Sequence, residues 1–185
     1  MARISLAVAL LSPLALGGCS APSTSEGDPV ETGCAPCDRA VAGPPALFIN
    51  ELQASNATTV ADEGGSYPDW IELYSGLDED VDLSGYTISD DLAEPAGRAL
   101  DGLVLPARGF LVLWADGGEG GLHLGFSLEA DGEAIGLYDP EGRPLDRVTY
   151  EAQSTDWSAA RVPDGAESWV ATRAPTPGEA NVASE

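Results

Sequence analysis

The chain has 185 residues, with 31 acidic and eight basic side chains and a formal charge of −23 near neutral pH. All eight bases are arginine. A surface this acidic repels phosphate backbones and anionic headgroups, which argues against nucleic acid as a partner, and the length suits one domain plus a tail.

Arg3 places a positive charge ahead of Ile4 to Leu16, a run that is apolar apart from Ser5, Ser12 and Pro13. The run is too short to cross a bilayer, which takes roughly 20 apolar residues. It leads into Leu16-Gly17-Gly18-Cys19. This pattern resembles a bacterial lipoprotein signal peptide over residues 1–18, ending in its lipobox. The resemblance implies cleavage before Cys19, lipidation of its thiol and a membrane held through the acyl chains. Two or more such chains hold stably, at about 0.8 kcal/mol per buried methylene. The competing reading is an ordinary secretory signal with Cys19 incidental. Within the resemblance, Ser20 in place of Asp implies the outer membrane of a diderm bacterium. The expected location is therefore membrane-anchored, outside the cytoplasm.

Residues 19–45 read as a lipidated tether. They are rich in Ser, Thr, Pro, Gly and acids. Such a composition buries too little apolar surface to offset its ordering entropy. As a coil, about 26 residues span on the order of 30 Å. Cys34 and Cys37, in Cys34-Ala35-Pro36-Cys37, are expected to form a small disulfide in an oxidising compartment. Zinc would need four ligands, and no second cysteine pair completes a site. A redox role would need the pair to open a helix within a βαβ unit, and here it sits among Pro, Gly and Asp.

From residue 46 to 182 the texture is that of a β domain. Ala46 to Ile49 opens it, and Trp70-Ile71-Glu72-Leu73-Tyr74 and Tyr86-Thr87-Ile88 alternate. Phe110 to Trp114 is continuously apolar, as expected of a strand buried on both faces or at a sandwich centre. Ala134 to Tyr138 and Arg147 to Tyr150 alternate again, and turn signals such as Asp101-Gly102, Asp131-Gly132 and Asp139-Pro140-Glu141-Gly142 separate the runs. No window sustains a helical period. The expectation is an all-β sandwich or barrel.

Acids supply the candidate chemistry. Glu51, Asp69 and Glu72 fall on or beside predicted strands. They could form a carboxylate cluster, but the favoured reading is structural: bonds to loop amides, or pairing with Arg161. Asp78, Asp80 and Asp82 alternate like the start of a calcium loop. An EF-hand would need Gly at the sixth and Glu at the twelfth position, where this chain has Leu83 and Ser89. A looser calcium site, helped by Asp90 and Asp91, stays open as the candidate cofactor. No catalytic residues are assigned. The single histidine, His123, lies in a Gly-rich segment without a nucleophile elbow. Trp70, Trp114, Trp157 and Trp169 read as core or edge-capping aromatics, and Trp157 is the one that could lie exposed and stack on a sugar.

The order of landmarks carries a family resemblance. Ile49-Asn50-Glu51-Leu52 precedes Asp69-Trp70-Ile71-Glu72-Leu73, then Val81-Asp82-Leu83-Ser84-Gly85-Tyr86, Leu105-Pro106 and Gly109-Phe110. Gly136-Leu137-Tyr138-Asp139, Asp146 and Tyr150 follow, then Ser158 to Gly165, Trp169, and Thr176-Pro177-Gly178 with Asn181. This resembles the lamin-tail domain of secreted bacterial proteins over nearly all of 46–182. The resemblance implies an immunoglobulin-like β-sandwich with no defining catalytic constellation. Tyr74-Ser75 departs from the Asn usual after the Glu-Leu. The expected role is a non-enzymatic interaction or structural module binding an envelope or extracellular protein through its loops. The alternative is a calcium-dependent module or metal-dependent hydrolase using the acidic loops.

Overall fold

The computed structural model describes residues 46–182, which carry thirteen strands and no helix. The leader, Cys19, the tether and the Cys34–Cys37 pair lie outside the described residues. In chain order the strands are β1 (Leu47–Gln53), β2 (Asp69–Ser75), β3 (Val81–Asp82), β4 (Thr87–Ser89), β5 (Arg98–Ala99), β6 (Val104–Leu105) and β7 (Phe110–Ala115). They continue as β8 (Glu119–Gly120), β9 (His123–Leu124), β10 (Ala134–Tyr138), β11 (Pro144–Thr149), β12 (Ser158–Arg161) and β13 (Trp169–Thr172).

Seven strands form one sheet, ordered β13-β12-β1-β2-β7-β9-β8. Four form a second, ordered β11-β10-β4-β5, and β3 pairs with β6. Ile49, Leu52, Ile71, Leu73 and Leu113 of the large sheet share one core with Ile88, Ile135, Leu137 and Val148 of the small one. Leu83, next to β3, and Leu105 of β6 join the same core. The architecture is an immunoglobulin-like β-sandwich. Burial of each such aliphatic side chain contributes about 1.5–3 kcal/mol.

The register explains how one strand serves two faces. Side chains alternate along a strand, so Ile71 and Leu73 face the core while Trp70, Glu72 and Tyr74 face outward. Cross-strand partners extend that outer face into three rows. Phe48, Tyr74 and Phe110 form the first, with ring centroids 6.3 and 5.1 Å apart. Glu51, Glu72 and Val112 form the second, and Gln53, Trp70 and Trp114 the third. The expectation for Phe110–Trp114 is met at the level of position: β7 lies inside the large sheet, fully buried only from Leu113 onward.

Between Ile49 and Glu51 the β1–β2 register shifts, which makes Asn50 the extra residue of a bulge. A bulge bends the strand and re-aims a side chain. Here Asn50 and Glu51 are both fully buried, although neighbouring strand residues normally face opposite sides.

Candidate functional site

The bulge is the seat of a buried polar network. Glu51 and Glu72 are direct partners across β1 and β2, and both are inaccessible to solvent. What covers them is the segment after β13. The Gly178 N–H donates to Glu72 Oε2 at 2.6 Å, and the Thr176 N–H lies 3.1 Å from Glu51 Oε2. Asn50 Nδ2 donates to Glu72 Oε1 at 3.1 Å and to Asp164 Oδ1 at 3.0 Å, and its Oδ1 accepts from the Gly165 N–H. Asn181 Nδ2 donates to the carbonyls of Asn50 and Arg161, while its backbone N–H reaches Asp164. Thr176-Pro177-Gly178 and Asn181 therefore act as a strap that ties the chain end to the outer face of the sheet.

Burial removes water from both carboxyls, and that favours the neutral form. Desolvation pushes Glu72 up to about 8, against the Gly178 and Asn50 hydrogen bonds and with a further push from Glu51 and Asp164. Desolvation also raises Glu51, opposed by hydrogen bonds from Ser158 and Thr176. Hydrogen-bond inventory agrees for Glu51. Ser158 Oγ donates to its Oε1 at 2.5 Å. Thr176 Oγ lies 2.6 Å from Asn181 Oδ1 and 3.1 Å from Glu51 Oε2, one hydroxyl proton for two acceptors. The pattern closes when Glu51 keeps a proton of its own.

Arg161 serves a different acid from those anticipated. It meets Asp146 through Nη2 at 2.9 Å to both carboxylate oxygens, not Glu51, Asp69 or Glu72. Its Nε donates to the Ile49 carbonyl at 2.8 Å and its Nη1 to the Ala166 carbonyl. Asp146 in turn accepts from the Ile49 N–H. The guanidinium also lies over the rings of Trp169 and Phe48, 4.7 and 5.8 Å from their centroids. Asp69 does not join the glutamates; it accepts from the Asn56 N–H at 2.9 Å at the mouth of the 54–68 loop, its carboxyl raised by burial.

The Asp78–Asp82 alternation sends each carboxylate to a different partner. Asp78 pairs with Arg108 at 2.8 Å, Asp80 accepts from the Ala107 N–H, and Asp82 accepts from the Ser84 N–H and hydroxyl. They do not converge, and among the described residues no three His, Cys, Asp or Glu side chains are placed to hold one metal ion. His123 stands between Asp116 at 2.9 Å and Glu63 at 3.1 Å, on opposite ring nitrogens, and the bonds to Glu63 and Asp116 raise it. The two acids lie on opposite sides of the ring, so this trio is a clasp between loops.

Of the tryptophans, Trp70 is fully buried and donates its indole N–H to Gln53 Oε1 at 2.8 Å, and Trp114 is buried beside it in register. Trp157 and Trp169 are half-buried. The sequence reading did not assign roles to Asn50 and Asp164. Two adjacent polar residues, Asn50-Glu51, inside an apolar strand were the available signal of a bulge.

The lamin tail domain family model matches residues 40–152 of the chain. The matched span takes in β1 to β11 and ends before β12, β13 and the strap. No curated protein matches the chain.

Proposed function

The chain belongs to the lamin tail domain family, a family of non-catalytic immunoglobulin-like domains, and from that premise we propose that it is a lipid-anchored envelope protein whose β-sandwich is displayed as a non-enzymatic interaction module. The family supports an interaction or structural module in place of a reaction centre. The observation that carries the non-enzymatic reading is the employment of the motif acids. Glu51 and Glu72 are sealed under the strap, and Asp69 caps a loop amide. A general acid or base must reach the proton it transfers, and a sealed carboxyl cannot. The anchoring part rests on Leu16-Gly17-Gly18-Cys19 and the apolar run before it. The proposed partner is an envelope or extracellular protein met by the exposed loops, since loops on a rigid scaffold are where binding residues concentrate.

Two measurements test this. Radiolabelled palmitate should enter the wild-type chain and not Cys19→Ala, which should leave the membrane fraction. Crosslinking in intact cells, followed by recovery of the full chain, should capture a discrete envelope protein. Equal membrane retention of Cys19→Ala defeats the anchor, and crosslinks to nothing but lipid defeat the interaction role.

A further inference from the structure

The large sheet overhangs the small one at one flank. β11, the outermost strand of the small sheet, packs against β1, while β12 and β13 continue beyond β1 in the large sheet. Ser158 points to Glu51 on the outer face, so Ala159, Trp169 and Ala171 face inward by alternation, on strands that continue past the line where β11 packs against β1. The result is a cleft of about 340 Å³ between Val148–Tyr150 and the inner face of β12–β13, with Trp157 and Trp169 in its wall. A second hollow of about 440 Å³ shares Val148, Thr149 and Trp169 and prolongs it toward Phe48. Ligand sites commonly enclose about 300–1,000 Å³.

Both indoles are held in place before any ligand arrives. Arg161, itself fixed by Asp146 and two carbonyls, lies 4.7 Å from the Trp169 ring centroid. Arg173 lies 4.5 Å from that of Trp157. Asp156, just before Trp157, has φ 60°, a left-handed conformation uncommon for a non-glycine residue. Its carboxylate binds the Ala57 and Thr58 N–H groups and the Thr58 hydroxyl at 2.7–2.9 Å, which holds the backbone there. Each ring thus has a cation on one side, so the cleft does not suit a cationic ligand.

The chemistry around the rings selects the ligand class. Thr149, Glu151 and Ser154 are exposed along the cleft and offer hydroxyl and carboxylate groups. Exposed charges at the rim balance, Arg147 and Arg173 against Glu151 and Glu167, on a chain whose overall charge is −23. Flat apolar faces, polar groups beside them and local neutrality suit a neutral ring bearing hydroxyls. A peptide strand adding to β11 fits less well. Pro144 opens that strand, and the Arg147 N–H is already taken by the Asp146 carboxylate at 2.9 Å. We propose that this overhang cleft binds a neutral oligosaccharide, with Trp157 and Trp169 as stacking platforms. The proposal rests on the interaction-module reading and names its ligand class.

The test is titration of the full chain with cellohexaose, mannohexaose and chitohexaose, followed by tryptophan fluorescence. At least one sugar should give a saturable change by about 10 mM, the weak end of specific affinities. Trp157→Ala should weaken it at least about tenfold. Ala171→Arg, at an exposed cleft position, should block it while leaving the tryptophans intact. No change with any of the three sugars overturns the proposal, as does a change that survives both variants. A response to an alternating Thr-Val hexapeptide but to no sugar also overturns it, in favour of strand addition. Recovery of a crosslinked envelope protein alongside silent sugars would sink this proposal alone and leave the interaction-module reading standing.

Discussion

Glu51 and Glu72 face each other across neighbouring strands, out of contact with water, and each accepts a backbone N–H from the strap at Thr176–Gly178. Two like carboxylates directly opposite would destabilise the sheet if both were ionised. Burial raises both carboxyls, Glu72 to about 8, which favours their neutral forms.

Stability should therefore fall as pH rises from about 5 to 8. The folded-state pKa of Glu72, about 8, lies above its ordinary 4.5, and Glu51 is raised as well. A raised group contributes fully below its unfolded pKa, and the contribution is lost as pH climbs through the folded one. His123 is also raised and acts in the same sense. Thermal melts followed by circular dichroism should show the wild-type Tm dropping by several degrees, since about 1 kcal/mol moves a domain of this size by roughly 3–5 °C. Glu72→Gln, neutral throughout, should flatten that slope. A wild-type Tm that holds or rises to pH 8 contradicts the assignment.

The strap predicts a large cost for a small surface loss. Asn181→Ala removes two donors from the buried carbonyls of Asn50 and Arg161 and the acceptor beside Thr176. Leaving buried acceptors unpaired costs about 1–3 kcal/mol each, so a loss of about 2–6 kcal/mol is expected. Urea melts should show a lower midpoint with an unchanged slope.

Much of this frame was legible from sequence, and the reasons are local. Alternation in Trp70–Tyr74 gave a two-faced strand because period-two patterning is a one-strand property. Gly and Asp clusters marked turns for the same reason. The acids could be placed on or beside strands from sequence, but their partners could not be read. Arg161 chooses Asp146 because β11 lies over β1, a relation between distant segments that spacing cannot encode. The overhang cleft was equally hidden, because it arises from unequal strand numbers in two sheets. The Asp78–Asp82 spacing misleads for a related reason: a metal site needs convergence in space, and here each acid turns to its own neighbour.

Arg161→Lys should be far from conservative. The planar guanidinium contacts Asp146, two carbonyls and two aromatic rings together. An ammonium has no fork to reproduce that set. Breaking a buried pair by removing one partner costs about 3–5 kcal/mol, and a retained but misplaced charge should cost roughly half of that. Equilibrium denaturation of Arg161→Lys beside Arg161→Met separates the lost geometry from the lost charge, with the methionine variant the less stable.

Calcium at millimolar concentration should leave the domain unchanged. Asp78, Asp80 and Asp82 are exposed, and their nearest partners are Arg108, the Ala107 N–H and the Ser84 N–H and hydroxyl. Binding an ion would require at least three of these oxygens to turn inward together, and Ca²⁺ takes six to eight oxygen ligands in all. Asp78 would also have to release Arg108, whose hydrogen bond and charge hold that carboxyl below its ordinary range. Melting temperature and tryptophan emission, recorded with calcium and with a chelator, should superimpose. A rise in Tm that saturates with calcium and disappears in Asp80→Asn would show that the loop rearranges around an ion after all.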